Sequence, residues 1–227
     1  MSGTPIENHL GELISQFQFL NPAMMRQSSL LRKVTKQTSN LEHSQIDQIA
    51  NALRPFILRR TKAQVAKDLP EKIEQILYVE LDEEQRRHYN ELRDYYRKML
   101  IKDKEKEEQE IYETSNIEVM EALLRLRQAA CHPALINDKL ADVPSKKLEI
   151  ILQKIEELVA EKHKVLIFSQ FTSFLHLIEK ELKKRALDYS YLDGQTKDRQ
   201  LAVQEFQEDP DKRIFLISLK AGGVGLN

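Results

Sequence analysis

Three places in this sequence set hydroxyl, amide, carboxylate or ammonium groups beside backbone that can approach a phosphate. They are Ser169-Gln170, Asp193-Gly194, and the run from Lys220 to Gly225, which holds Gly222, Gly223 and Gly225. A hydroxyl and an amide at a helix start, with Thr172 and Ser173 close behind, suit a phosphate oxygen together with free backbone N–H groups. Glycines let the backbone come near a ligand because no Cβ intervenes, and Lys220 adds a point charge beside them. Taken singly, each signal is also ordinary turn and loop punctuation. What separates them from punctuation is their shared position, since each ends an apolar run.

Periodicity identifies the elements that must hold these groups. Residues 164–169 (KVLIFS), 189–192 (YSYL) and 214–219 (IFLISL) read as strands, and residues 171–186 and 197–206 between them have helical period. Parallel strands need a crossover, which a helix supplies, so this order predicts a parallel α/β sheet. Ligands of such sheets gather outside the carboxyl ends of the strands, which would place all three groups on one rim. A sheet of three or four strands is expected to leave an edge uncovered at the glycine loop.

The N-terminal half reads as largely helical. Leu10, Leu13, Ile14, Phe17 and Leu20 recur on one helical face, ended by Asn21-Pro22. A short helix from Gln45 to Leu53 closes before Pro55, and another follows Arg59-Arg60 and stops at Pro70. Ile73 to Leu81 reads as a strand. Asp82 then caps a long helix, with Glu83 and Glu84 where the helix dipole favours acids, and this helix frays in the charged segment 102–110. A second helix, Ile117 to Ala130, ends at the Cys131-His132-Pro133 turn. Pro144-Ser145 begins another that runs to about His163.

Composition narrows the classes. The chain has 227 residues, 41% hydrophobic and 31% charged, enough for one large domain or two small ones with a sizeable core. No apolar stretch approaches the roughly 18–20 residues of a membrane span, and Met1 to Thr4 has no signal-peptide character. The lone Cys131 excludes an internal disulfide and fits a reducing compartment. Net charge is −1, yet Ala23 to Lys67 holds nine basic residues, among them Arg32, Lys33, Arg59 and Arg60, against Glu42 and Asp47. This local excess reads either as a contact for phosphates or as a solvated face balanced in three dimensions.

Several chemistries find no support. There is no G-x-x-x-x-G-K-[ST] or G-x-G-x-x-G, and no acidic pair follows a strand in a Walker-B-like setting. Cys131-His132 has no further ligands at metal spacing, so no metal site is expected, and the pair reads as a helix-ending turn with a buried thiol. No serine or cysteine stands in an evident triad. A methyltransferase-like domain would place its glycine loop after the first strand, whereas here it follows the third.

Several segments in fixed order resemble one family. Residues 2–22, SGTPIENHLGELISQFQFLNP, are similar to the Swi/Snf-type ATPases of helicase superfamily two where their first ATPase lobe closes. LRPFILRRTKAQVAKDLPEK (53–72), CHPALI (131–136), KVLIFSQFT (164–172), YLDGQTKDRQ (191–200) and FLISLKAGGVGLN (215–227) follow in the family's order. The resemblance implies a RecA-like, three-layer parallel α/β lobe, incomplete here, preceded by a largely helical half. It divides the chain into residues 1–70 (end of the first lobe and a helical protrusion), 71–144 (start of the second lobe with inserted long helices) and 145–227 (a truncated RecA-like C-terminal lobe).

The family hydrolyses ATP with Mg²⁺ between two such lobes and moves on double-stranded DNA, remodelling DNA-bound protein. By resemblance Gly3, Thr4 and Pro5 couple hydrolysis to DNA contact. Ser169, Gln170, Ser218 and Lys220, with Arg32 and Lys33, would face DNA. Asp193, Gly194, Gly222, Gly223 and Gly225 would face the interlobe cleft, and Arg59 and Arg60 the lobe junction, unless neighbouring acids hold them. The family's phosphate-binding loop, acidic motif and arginine-bearing motif match nothing in these residues. The chain is therefore expected to be an inactive internal fragment that holds no ATP or Mg²⁺ of its own. Double-stranded DNA and DNA-bound protein complexes are its expected partners, with no membrane. Expected location is nuclear in a eukaryote and at the cytoplasmic nucleoid in a bacterium. The alternative is a non-catalytic module binding nucleic acid or protein.

Overall fold

The computed structural model describes residue 6 and residues 10–23, 43–104 and 111–223. Gly3, Thr4, Pro5, Arg32, Lys33 and Gly225 lie outside the described residues. Two compact units divide at the boundary of Gln75 and Ile76.

The first unit is built on helices α1 (Leu10–Leu20) and α2 (His43–Leu53). Leu13, Ile14 and Phe17 of α1 meet Ile49 and Leu53 of α2 in one small core. The expected face of α1 holds for these residues, but Leu20 is exposed beside Phe19. A 3₁₀ turn, Arg54–Phe56, carries Pro55 in its first positions, where a missing N–H costs nothing. It brings Phe56 edge-on to Phe17, with ring centroids 6.1 Å apart. The short helix α3 (Lys62–Val65) completes the unit's helices among the described residues.

The strand expected over Ile73 to Leu81 does not form. Residues 71–82 are irregular, and Ile73, Ile76, Leu77 and Tyr78 stand in solvent, Tyr78 at 90% exposure. Alternating residue types suit a strand only when a neighbour completes its hydrogen-bond ladder. The described strands make one three-stranded sheet that does not include this segment.

In the second unit, α4 (Glu83–Lys104) and α5 (Ile111–Cys131) pack as an antiparallel pair. Buried Ala122 and Ala129 let the backbones approach. Near the base, buried Gln85 donates from Nε2 to the carbonyl of Ala129 at 3.1 Å. That carbonyl would ordinarily accept from the residue four places on, but this is Pro133, which has no N–H. His132 is buried in the following turn and its Nδ1 accepts from the Ala134 N–H at 3.1 Å, while burial lowers its pKa. Ser145 precedes α6 (Lys146–Ala160), but its hydroxyl donates to the Cys131 carbonyl at 3.0 Å instead of capping the helix.

The α/β part then runs β1 (Val165–Ser169), α7 (Thr172–Lys184), β2 (Tyr189–Leu192), α8 (Arg199–Glu208), β3 (Ile214–Ser218) and α9 (Leu219–Gly222). All strands are parallel, in the order β1-β3-β2. Alternation along β3 builds a three-layer core. Ile214 and Leu216 pack with Leu152 and Ile155 of α6 and with Phe174, Leu175, Ile178 and Leu182 of α7. Phe215 and Ile217 face the other way, toward Phe206 of α8 and Ala221 of α9.

This order corrects the expectation of an uncovered edge at the glycine loop. The strand leading into that loop is central and buried at all five residues, and the edges are β1 and β2. Sequence order does not set strand order when each connection is a helical crossover. On β1, Leu166 and Phe168 lie in register with Phe215 and Ile217, yet remain about half exposed.

Candidate nucleic-acid interface

The register brings the strand ends level. Ser169 pairs with Ser218 across β1 and β3, and Leu192 pairs with Ile217, so Asp193 follows at the same height. The rim expected from the sequence therefore exists, with three corners built differently.

At the β1 corner, the Ser169 hydroxyl accepts the Phe171 N–H and donates to the Phe171 carbonyl, both at 3.1 Å. The hydroxyl is thus used to shape the turn. Helix α7 begins after Phe171 without a side-chain cap, leaving its first N–H groups toward the rim. Gln170 reaches sideways, its Oε1 accepting from the Arg127 guanidinium of α5.

The β2 corner is a self-contained turn. Asp193 Oδ1 accepts the N–H groups of Gln195 at 2.8 Å and Thr196 at 3.1 Å, and Thr196 Oγ1 accepts the Asp193 N–H at 2.9 Å. A Cβ at Gly194 would meet nothing within 4 Å, so space does not demand glycine there. Asp198 then caps α8 through the Leu201 N–H at 2.9 Å. Beside this corner the Tyr191 phenol is pushed up to about 12, by burial first and then by the charge of Asp193. Its ring stacks on His176.

The β3 corner departs most from the sequence reading. The run expected as a loop opens with one turn of helix, α9, capped by buried Ser218 through the Ala221 N–H at 3.3 Å. Gly222 is required by packing inside the protein. A Cβ there would lie 2.9 Å from Ile217 Cγ2 and 3.0 Å from Phe168 Cε1. Gly223 is helical, and a Cβ would come no closer than 3.4 Å to the Leu219 carbonyl. Lys220 is exposed on this turn, and Arg199 of α8 ties the corner by donating to the Ala221 carbonyl at 3.3 Å.

Arg59 and Arg60 belong to the first unit, exposed in an irregular stretch. Neither has a carboxylate partner among the described residues; Arg60 donates to the Arg59 carbonyl at 3.1 Å.

Beside the β1 corner opens a cleft of about 500 Å³. Its walls are Arg127 and Cys131 of α5, Lys147 and Ile151 of α6, the end of β1, and Leu219. Cys131, expected as a buried thiol, is half-buried in this wall.

Residues 1–135 match the model of the SNF2-related domain, and residues 146–227 match that of the helicase conserved C-terminal domain. The chain belongs to the SNF2 family. It is 31% identical over its whole length to "Chromodomain-helicase-DNA-binding protein 1-like" of Danio rerio, covering 22% of that protein. It is 33% identical, again over its whole length, to an "Uncharacterized ATP-dependent helicase" of Mycoplasma pneumoniae, covering 21% of it. Among solved structures, the Sulfolobus solfataricus SWI2/SNF2 ATPase core in complex with dsDNA aligns with 96% of this chain and 46% of that one, at TM-score 0.55 and 27% identity. The chain thus spans about a fifth of the length of the curated relatives it matches.

Within this SNF2-family fold, Arg127 and Lys147 are the charged residues beside the candidate site that sequence reasoning passed over. Neither lies in a glycine, hydroxyl or strand-end motif. They reach the rim because the end of α5 and the start of α6 pack beside the end of β1. The Cys131-His132-Pro133 turn between them was the one available signal, and it points to a helix end, not to a site.

Proposed function

We propose that the chain is part of an ATP-dependent translocase on double-stranded DNA, and that its rim is the surface that follows the duplex. The observation that carries this reading is the level alignment of Ser169, Asp193 and Ser218 at the carboxyl ends of three parallel strands. It is supported by the likeness of the fold to an SNF2 core that binds dsDNA. Uncapped N–H groups at α7 and the exposed Lys220 provide the groups that recognise a backbone phosphate without reading sequence. Gly3, Thr4 and Pro5 would couple hydrolysis to this contact. Arg32 and Lys33 would add to the DNA contact, and Arg59 and Arg60 would act at the lobe junction.

ATP and Mg²⁺ do not fit a site made by this chain alone. Its 227 residues contain no G-x-x-x-x-G-K-[ST] loop to cradle a triphosphate. The chain therefore acts in translocation only as part of a longer ATPase, and by itself binds duplex without hydrolysis. DNA-bound protein complexes are the partners such movement would displace. The location would be nuclear in a eukaryote and at the nucleoid in a bacterium.

The test is duplex binding by the purified chain across a salt series, with phosphate release measured in parallel. Salt-sensitive binding of duplex in preference to single strands, without DNA-stimulated phosphate release, is the expected result. Absence of duplex binding overturns the DNA reading, and DNA-stimulated phosphate release overturns the claim of inactivity. Without the phosphate loop, a second reading stands beside the first: a module that binds nucleic acid or protein and plays no part in catalysis. Equal affinity for single and double strands would favour it.

A further inference from the structure

Several cations of the second unit are paired with carboxylates. Lys146, Lys154, Lys183, Lys184, Arg185 and Lys212 each lie within 2.8 Å of a glutamate oxygen. Arg127 and Lys147, which share the cleft beside the β1 corner, have neutral partners instead. The Arg127 guanidinium donates to the neutral amide oxygen of Gln170 and lies 5.9 Å from the centroid of the Phe171 ring. Half-buried Lys147 has the Cys131 Sγ at 3.9 Å, a thiol and a weak acceptor.

Neutral acceptors satisfy donors without balancing charge. Two cations that line one cleft and are held there by an amide and a thiol leave an uncompensated positive potential. An anion entering there replaces neutral acceptors with oxygens of opposite charge, which a guanidinium can meet with two parallel hydrogen bonds. The apolar floor, Ile151 and Phe174, offers no competing acid. Because Gln170 belongs both to this cleft and to the rim, an anion on the rim can reach the cleft without crossing other structure.

We propose that Arg127 and Lys147 form an anion site for a single backbone phosphate of duplex DNA, with the Gln170 amide as a placeholder that Arg127 releases when the phosphate binds. The inference rests on the reading that the rim follows duplex DNA. It adds a contact from α5 and α6, outside the strand-end segments that carry the family resemblance. Free phosphate has the same oxygen chemistry, so the test separates the two sources.

Duplex affinity is measured by fluorescence anisotropy over a salt series for four chains: wild type, Arg127→Gln with Lys147→Gln, Arg127→Lys, and Lys220→Gln. A parallel arm adds inorganic phosphate at matched ionic strength and follows the Arg127 side-chain resonance by NMR. The double variant is expected to bind several-fold more weakly, with the slope of log K against log salt reduced by about 0.9, the value for one lost phosphate contact. Arg127→Lys keeps the charge and should keep the slope. Wild-type binding with an unchanged slope in the double variant overturns this inference, while a reduced slope in Lys220→Gln would show the rim reading still stands. No duplex binding by the wild type overturns both. Saturation of the Arg127 resonance by inorganic phosphate, with no response to duplex, overturns the assignment to DNA.

Discussion

The helical pair α4–α5 and the three-layer sheet belong to one unit but hold themselves together by different means. The sheet buries apolar side chains on both faces of β3, so that Leu216 is fully enclosed. The helical pair is held by a narrow seam of small residues and one polar clasp, with Ile117, Met120 and Leu123 left in solvent. A rim that must present groups at fixed spacing therefore rests on the densely packed part. The part that meets it from the side, at Arg127, is the more lightly tethered.

The contrast is broken most severely by the same substitution made in both places. Leu216→Ala should cost about 2–5 kcal/mol of unfolding free energy, because the cavity opens in the middle of the sheet. Leu123→Ala, at 52% exposure, should stay within about 1 kcal/mol. Urea unfolding of both variants checks this, and similar losses would mean that the helical pair is as tightly built as the sheet.

The polar clasp gives the next largest effect. Gln85→Leu removes the donor that replaces the missing N–H of Pro133 and leaves the Ala129 carbonyl unpaired, costing about 1–3 kcal/mol. Hydrogen exchange should show α4 and α5 opening before the sheet does. Uniform loss of protection would sink the idea of a separately tethered pair.

A smaller, pH-dependent effect comes from His132, in the turn that joins the two parts. Burial holds its folded pKa below the ordinary histidine value of 6.5, so it stays neutral in the fold while the unfolded chain takes up a proton. Its contribution to stability is fully present above pH 6.5 and is lost as pH falls through the lower, folded pKa. Thermal melts from neutral toward pH 5 should show this slope, and His132→Asn, which keeps an acceptor for the Ala134 N–H, should flatten it.

The smallest effect should raise stability. Lys162 at φ 64° and Ala186 at φ 52° end α6 and α7 in the left-handed region. Each is followed by a closing hydrogen bond, His163 N–H to the Leu158 carbonyl at 2.9 Å and Leu187 N–H to the Leu182 carbonyl at 3.1 Å. This helix-ending motif favours glycine. Replacing both by glycine should stabilise the sheet part by roughly 0.5–1 kcal/mol per site, since the relief of Cβ strain exceeds the entropy glycine adds to the unfolded chain. A lower melting temperature in the double variant would refute this.

Much of this molecule is local and therefore legible in residue order. The periods of α1, α2 and α6 to α8, the three strands and the polar groups at their ends follow from side-chain spacing, which depends only on the geometry of a helix turn or a strand pleat. Local spacing also placed Asp193 in its turn. Sequence alone thus determined that a parallel α/β half exists and that Ser169 and Asp193 stand at the ends of its first two strands.

What tertiary structure decided are the properties that depend on neighbours distant in the chain. Ile73 to Leu81 has strand spacing but no partner for a ladder, so it stays irregular. β3 comes last among the strands yet lies in the middle, because helical crossovers leave strand order free. Gly222 reads as a ligand-facing glycine, but Ile217 and Phe168 pressing from two strands explain it. Arg127 and Lys147 carry no motif and line the cleft beside the rim only because two helix ends pack beside β1. In each case the deciding energy is a contact made across the chain, which no window of neighbouring residues contains.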